Sequence, residues 1–388
     1  MVAADDVAAA HQARVIGISN IATKRTLKAW QQVDMANLDA SWAAVAPLMT
    51  RQADAAQMAI VSTSDSYSSK LASAYDFDAD ASRIVPEAFV GVDGSGRATS
   101  TLLHGAVTTT KQAIGSGLSS AQSFEAGAAY LASMLKTALA DMGRSSEIVS
   151  SVGKGFTRYV RVVEPGACSR CVMLAGSDRF KPFKRHPACK CTCQAVPEAD
   201  LGTKYSPSAV FDNMSEFDQD RAFGRAGAQA IRDGADISQV VSARRGSSGL
   251  GLASKMPSNG GWNRMQKTTI GRRPDGTPVQ VYATTEGTTV RGQFGRAQVG
   301  RSGSQRLAND RYSKVNRVRL MPESIMELSG EDTALRQAFL RDAGYLEYRP
   351  RNGYDSGNKW VAEIEQLRRE DRIAVDRVTL KFGNFTLG

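Results

Sequence analysis

The sequence predicts an α+β protein that is mainly α. Three observations carry this expectation. Residues 1–150 hold alanine-rich apolar stripes at helical spacing, strand-like alternation is confined to short runs after Lys154, and all five cysteines lie between Cys168 and Cys193. At 388 residues the chain exceeds one comfortable domain, so two or three folded units are expected. The divisions fall at 1–153 (a long-helix hairpin or bundle), 154–246 (a small zinc-stabilised module with following helices), 247–274 (a Gly/Ser-rich linker) and 275–388 (a small basic α+β unit).

The helical front comes first. From about Ile18 to Ala36, the residues Ile18, Ile21, Ala22, Ala29, Trp30 and Val33 keep near one 3.6-residue stripe, with Lys24, Arg25, Lys28 and Asp34 elsewhere. A second segment opens at Asp39 and carries Trp42, Val45, Leu48 and Met49, with Pro47 expected to kink it. Two long helices joined by a short turn make an antiparallel hairpin. PEAFVGVDGSG (86–96) reads as a loop, and helices follow near Thr101–Gly115 and Ser120–Met142.

Beyond Lys154 the texture changes. Phe156–Val163 alternates as a strand should and delivers the chain to the first cysteine pair. Ser215–Asp233 is helical and ends at Gly234, and a short helix runs from Ala235 to a cap at Gly246. The stretch GSSGLGLASKMPSNGGWNRM has little to bury and reads as linker. Strands are expected at Pro278–Ala283, Thr288–Arg291, Val315–Leu320, Leu346–Tyr348 and Val375–Phe382, with a helix over Glu331–Ala343. There is no fixed-period internal repeat.

Composition excludes several classes. The chain is 42% hydrophobic and 23% charged, the balance of an ordinary soluble globular protein. No uncharged apolar run approaches the ~18–20 residues that cross a bilayer, so no membrane partner is expected. The start, MVAADDVAAAHQ, is acidic where a signal peptide is basic, so no secretory signal is expected.

The net charge of +10 is local. Residues 1–240 balance at 24 basic and 24 acidic side chains, residues 241–320 carry 15 against 3, and residues 321–388 carry 10 against 12. A basic block of this kind points to a local anionic partner.

The cysteines are spaced Cys168-x2-Cys171 and Cys189-x-Cys191-x-Cys193, with His186 just ahead of the second group. A secreted disulfide framework scatters an even number of cysteines to staple distant loops. Here two thiolates two residues apart can grip one ion from a tight turn, and residues alternating at period two project to one side. The expected site is a metal centre of Cys168, Cys171, His186, Cys189 and Cys191, with zinc as the ion. Zinc takes four ligands, and spacing leaves open which four and whether Cys193 is among them. Ferredoxin spacings do not match. No His-Glu-x-x-His helix or His-x-Glu deaminase signature accompanies the cluster, so a closed structural site is expected and not an enzyme.

YVRVVEPGACSRCVMLAG followed by FKRHPACKC resembles the F-like minor head protein family of phage Mu and its relatives. Cys168, Cys171, Gly176, His186, Pro187, Cys189 and Cys191 carry the signature, and Cys193 is an addition to it. GAVTTTKQAI and AGAQAIRDGADISQVVSARRG extend the resemblance to roughly residues 85–246, in the version found in phages of actinobacteria. The resemblance implies a minor capsid protein at the portal vertex of the phage head, acting in head assembly, DNA packaging or ejection. Its implied partners are the portal protein, the major capsid protein and phage DNA. It implies location in the virion, and in the host cytoplasm during assembly, with the helical front facing the portal.

Other readings rest on thinner signals. A capsid-maturation protease needs a base and nucleophile such as His104 or His11 with Ser100 or Ser119, but no Gly-x-Ser-x-Gly elbow is present. Glu363-Ile-Glu365 has the letters of a fused ADP-ribosylating effector, yet lies in a charged helical-looking run. A zinc-dependent DNA-binding protein is the third alternative. In the basic block, Arg291, Arg296, Arg301, Arg306, Arg311, Lys314, Arg317 and Arg319 mix with glycines that let backbone approach phosphate. Any nucleic-acid contact there is expected to be non-specific; an acidic portal or capsid face is the other anionic partner.

Overall fold

The computed structural model describes residues 3–164, 166–179, 183–243, 265–272, 278–284, 305–306, 313–314, 319–346, 380–382 and 385–387. The chain divides into two compact units, residues 1–167 with 174–210 and residues 168–173 with 211–388.

Long helices build the first unit. α1 (Ala4–Trp30) has Asp5 and Asp6 in its first turn and Lys28 in its last, the order the helix dipole favours. It begins well before Ile18, in turns whose buried apolar residues Ala4 and Ala8 are strong helix formers that add little to an apolar stripe. α2 (Leu38–Val61) runs continuously through Pro47, with Trp42, Val45 and Met49 buried around it. The disturbance expected at Pro47 does not break the helix. α3 (Ser64–Ala74) has no counterpart among the sequence-based expectations, since its many serines have middling helix propensity.

α4 (Thr99–Gly115) and α5 (Ser120–Gly153) pack against each other and against α2. A capping box of Ser119 and Gln122 starts α5. The helix continues past Met142 because Arg144, Ser146, Glu147, Ser150 and Ser151 are buried and find polar partners across the fold. Trp30 anchors the four-helix core, stacked on Phe124 at 5.3 Å and edge-on to Trp42 at 6.0 Å. Close approach at this point requires Gly127, whose missing Cβ would lie 2.6 Å from Trp30 Cζ2.

The chain then forms β1 (Arg158–Val162), a short helix α6 (Ser169–Met173), β2 (Ser177–Arg179) and β3 (Thr192–Val196). The sheet order is β2-β1-β3, antiparallel throughout, with Tyr159 opposite Ala195 and Arg161 opposite Cys193. β3 is buried along its whole length against α5, α1 and α3. The division expected at residue 153 is therefore not where the chain separates. Gln12 donates to the carbonyls of Val162 and Lys190, and Tyr67 to that of Cys193, which ties the sheet to the helical front.

The second unit contains α8 (Glu216–Phe223) and α9 (Arg225–Arg232), preceded by α7 (Pro207–Asp212) at the junction. The single helix expected over Ser215–Asp233 is broken at Gly224, whose φ of 70° suits glycine. Phe211 and Phe223 meet edge to face at 5.3 Å. α10 (Ile237–Ala243) follows, then a hairpin of β4 (Met265–Arg272) and β5 (Pro278–Thr284) with an irregularity between Thr269 and Gly271. β4 lies inside the stretch expected as linker, whose residues 273–274 are outside the described residues.

Short pieces β6 (Gln305–Arg306), β7 (Ser313–Lys314) and β8 (Arg319–Leu320) precede α11 (Pro322–Ser329) and α12 (Thr333–Asp342). β9 (Leu380–Phe382) pairs with β10 (Phe385–Leu387). Arg336 reaches Asp233 at 2.7 Å, and Tyr345 donates to the Leu320 carbonyl. The mainly helical α+β class holds. The linker core at 247–264, the strand at 288–291, residues 347–348 and Glu363-Ile-Glu365 lie outside the described residues.

Candidate metal centre

Two turns present the ligands. In the first, the amides of Cys171 and Val172 donate to the Cys168 carbonyl at 2.9 and 3.3 Å, so Cys168 stands just before α6 and Cys171 on its first turn. In the second, the Cys189 amide donates to the His186 carbonyl at 3.2 Å across Pro187 and Ala188. Proline sets the first bend; the second falls on Ala188, with φ at 56°, a conformation that normally selects glycine. The Ala188 amide is held by Thr137 Oγ1 at 2.8 Å, so a helix side chain pins the strained residue.

The donor atoms converge. The ligand atoms of Cys168, Cys171 and His186 lie within 4.8 Å of one another, and so do those of Cys171, Cys189 and Cys191. Cys171 belongs to both groups. These spacings approach the ~3.8 Å edge of a tetrahedron with Zn–S bonds near 2.3 Å. His186 Nδ1 lies 2.8 Å from the Pro187 carbonyl. A hydrogen on Nδ1 satisfies that carbonyl and leaves Nε2 with the lone pair a metal needs.

All five residues expected as ligands are thus brought close enough to hold a metal ion. Cys193 is in neither group among the described residues. Its thiol is pushed well above its ordinary value, first by burial and then by the charge of Glu147, which suits an interior thiol on a strand.

The surroundings fit an anionic thiolate cluster. Arg144 Nη1 donates to the carbonyls of Cys189 at 3.2 Å and Cys191 at 2.8 Å, while Nη2 meets Asp141 at 2.6 Å. Arg161 holds the carbonyls of Leu174 and Lys184. Both guanidiniums lie near the Phe183 ring, at 4.9 and 3.8 Å, and both are buried. One N–H of each, Nε of Arg144 and Nη1 of Arg161, has no partner among the described residues. Two buried positive charges offset the negative charge that three or four thiolates bring to one divalent ion.

Sequence reasoning missed a polar site within the first unit. Glu147 on α5 accepts from His11 Nε2 at 2.9 Å, from Thr192 Oγ1 at 2.5 Å and from the Cys193 amide at 3.4 Å. Burial alone would raise its carboxyl; the His11 bond and charge, Thr192 and Arg144 hold it below its ordinary value. His11 also stacks on Tyr67 at 3.9 Å. A lone His at residue 11 and a lone Glu at 147 carry no motif, so only the isolated histidine was visible in the sequence.

His104 is exposed and lies edge-on to Trp42, Ser119 caps α5, and no hydrogen bond among the described residues joins either histidine to Ser100 or Ser119. In the basic block, Arg306, Lys314 and Arg319 fall on β6, β7 and β8, with Gln305 opposite Lys314 and Arg306 opposite Ser313. Arg291, Arg296, Arg301, Arg311 and Arg317 lie outside the described residues.

No protein-family model, no curated protein and no solved structure matches the chain. Among the described residues no helix is long and apolar enough to cross a membrane.

Proposed function

We propose that this chain is a phage minor head protein of the Mu F-like type, non-enzymatic, with a structural zinc ion held by four of Cys168, Cys171, His186, Cys189 and Cys191. The observation that carries the reading is that the Cys-x2-Cys pair and the His-Pro-x-Cys-x-Cys run come together in two groups of three donors that share Cys171. The bound ion would supply a cross-link between two turns of a chain segment with few apolar side chains to bury. Arg144 and Arg161 orient the carbonyls of that segment, and Thr137 holds its strained turn.

On this reading the protein acts at the portal vertex in head assembly, DNA packaging or ejection. Its partners are the portal protein, the major capsid protein and, through the basic block, phage DNA without sequence preference. It resides in the virion, and in host cytoplasm while heads assemble.

Metal analysis of the purified chain combined with co-purification against the portal protein of the same phage tests the proposal. One equivalent of zinc and a stable complex are expected. Absence of metal in reducing buffer removes the centre of the reading, and zinc without portal binding removes its placement in the head. For the basic block, duplex-DNA binding should fall steeply with salt. Binding unchanged between low and high salt excludes the electrostatic contact.

A further inference from the structure

One face of α5 carries Thr137, Asp141 and Arg144, spaced four and three residues apart. All three act on the segment from Arg185 to Cys191, where the candidate ligands His186, Cys189 and Cys191 stand. Thr137 Oγ1 donates to the Ser133 carbonyl at 2.7 Å, so it is an acceptor toward the Ala188 amide at 2.8 Å. Arg144 Nη1 donates to the Cys189 and Cys191 carbonyls, and Gln12 donates to the Lys190 carbonyl between them at 3.2 Å. None of these bonds uses a sulfur or the Nε2 of His186.

Asp141 joins the two ends of the segment. Its Oδ1 accepts from Arg144 Nη2 at 2.6 Å and from Arg185 Nε at 3.0 Å, and its Oδ2 accepts from Arg185 Nη2 at 2.5 Å. Both oxygens of one carboxylate thus hold Arg185, a geometry that fixes a guanidinium in direction as well as distance. The next residue in the chain is His186. The same carboxylate sets the Arg144 fork on the carbonyls of Cys189 and Cys191.

The carboxylate is sheltered. Its side chain is 13% exposed, and the turn at 93–97 lies against it: a Cβ on Gly94 would stand 3.1 Å from Asp141 Cβ and 3.2 Å from Oδ2. Asp93 braces that turn by accepting from the amides of Ser95 and Arg97 and from the Arg97 guanidinium. An exposed ion pair contributes little to order, whereas a bidentate pair shielded from water is a firm restraint.

We propose that Asp141 is a positioning residue of the metal centre: through Arg185 and Arg144 it holds the His186–Cys191 turn in its ligating shape before the ion arrives. The assignment rests on the zinc reading for the ion and on these bonds for the preformed turn. A turn fixed in advance spares the ion the cost of ordering its ligands. Loss of Asp141 therefore weakens binding of the same ion at the same stoichiometry.

Three variants of the full chain test this: Asp141→Asn, which keeps the size; Arg185→Ala, at a partly exposed position that leaves folding alone; and the two combined. In reduced protein stripped of metal, hydrogen exchange read by mass spectrometry should find the Ala188 and Cys189 amides protected in the wild type. Protection there should fall at least about tenfold in each variant, with the amides of β1 and β3 unchanged. Zinc competition against a chelator should give about 10–100-fold weaker binding in each single variant. The combined variant should bind no more weakly than Asp141→Asn, because both changes break one contact. Three results overturn the proposal alone, in a wild type that takes up zinc: variants that bind as tightly, a metal-free wild-type turn that exchanges freely, or exchange quickened equally across β1 and β3. A wild type that takes up no zinc removes instead the zinc reading beneath the proposal.

Discussion

Replacing Glu147 with alanine removes the acceptor that joins α1, α5 and β3. Three donors are left without their partner: His11 Nε2 at 2.9 Å, Thr192 Oγ1 at 2.5 Å and the Cys193 amide at 3.4 Å. Each stranded buried donor costs about 1–3 kcal/mol. The Thr192 hydroxyl can rotate toward another acceptor, and the Cys193 bond is long, so His11 dominates. The expected loss is about 2–4 kcal/mol, one dominant stranded donor with smaller contributions from the other two. For a unit of this size that lowers Tm by roughly 10 °C.

Urea unfolding followed by circular dichroism measures the loss, and its pH dependence supplies a second check. The folded-state carboxyl of Glu147 lies below its ordinary 4.5, so the unfolded chain binds the proton more readily. Its stabilisation is therefore complete above pH 4.5 and disappears as pH falls through the lowered folded value. The wild type should lose this contribution on acidification, and Glu147→Ala should not. A variant within about 0.5 kcal/mol of wild type at neutral pH would refute the reasoning, as would an unchanged acid limb.

Four further outcomes follow from the geometry. Cys171→Ser, at the ligand shared by both groups, should abolish stoichiometric metal by elemental analysis, whereas Cys193→Ser should leave it intact. Arg144→Lys keeps the charge but removes the fork that holds the Cys189 and Cys191 carbonyls, and should weaken metal about 10–100-fold in chelator competition. Gly127→Ala places a Cβ 2.3 Å from Thr110 Oγ1 and 2.6 Å from Trp30, so despite a better helix former it should destabilise by about 1–2 kcal/mol in urea. Arg301, Arg306 and Arg311 changed together to alanine should reduce the log–log salt slope of DNA binding by roughly one for each phosphate no longer neutralised.

The metal centre shows how the two kinds of information divide. The candidate ligands were legible because a chelating turn needs thiols two residues apart, and that spacing is local. What holds the turns is not local. Thr137 and Arg144 come from the middle of a long helix and act on residues 188, 189 and 191. Both have ordinary neighbours in the sequence, and nothing there marks them as support for the site. Ala188 is more hidden still, since alanine gives no sign of a left-handed backbone.

Element boundaries divide the same way. The apolar stripes of α1, α2 and α4 fixed those helices closely enough to place Trp30 and Trp42 in one core. The second half of α5 escaped because its buried face is polar, and α3 because it is serine-rich. In both helices the hydrophobic pattern falls silent where hydrogen bonds replace apolar burial.

The sequence by itself determined the helical front, the cysteine cluster with its ligand types and the confinement of positive charge to one block. Each of these is written in composition or in spacings of a few residues. Only the tertiary structure decided that Cys193 stands apart from the ligand groups, that the sheet belongs with the helical front, and that His11 meets Glu147. The last pair lies 136 positions apart. A buried charge is tolerable only where folding supplies its partners, and no local pattern records which distant residue will be the partner.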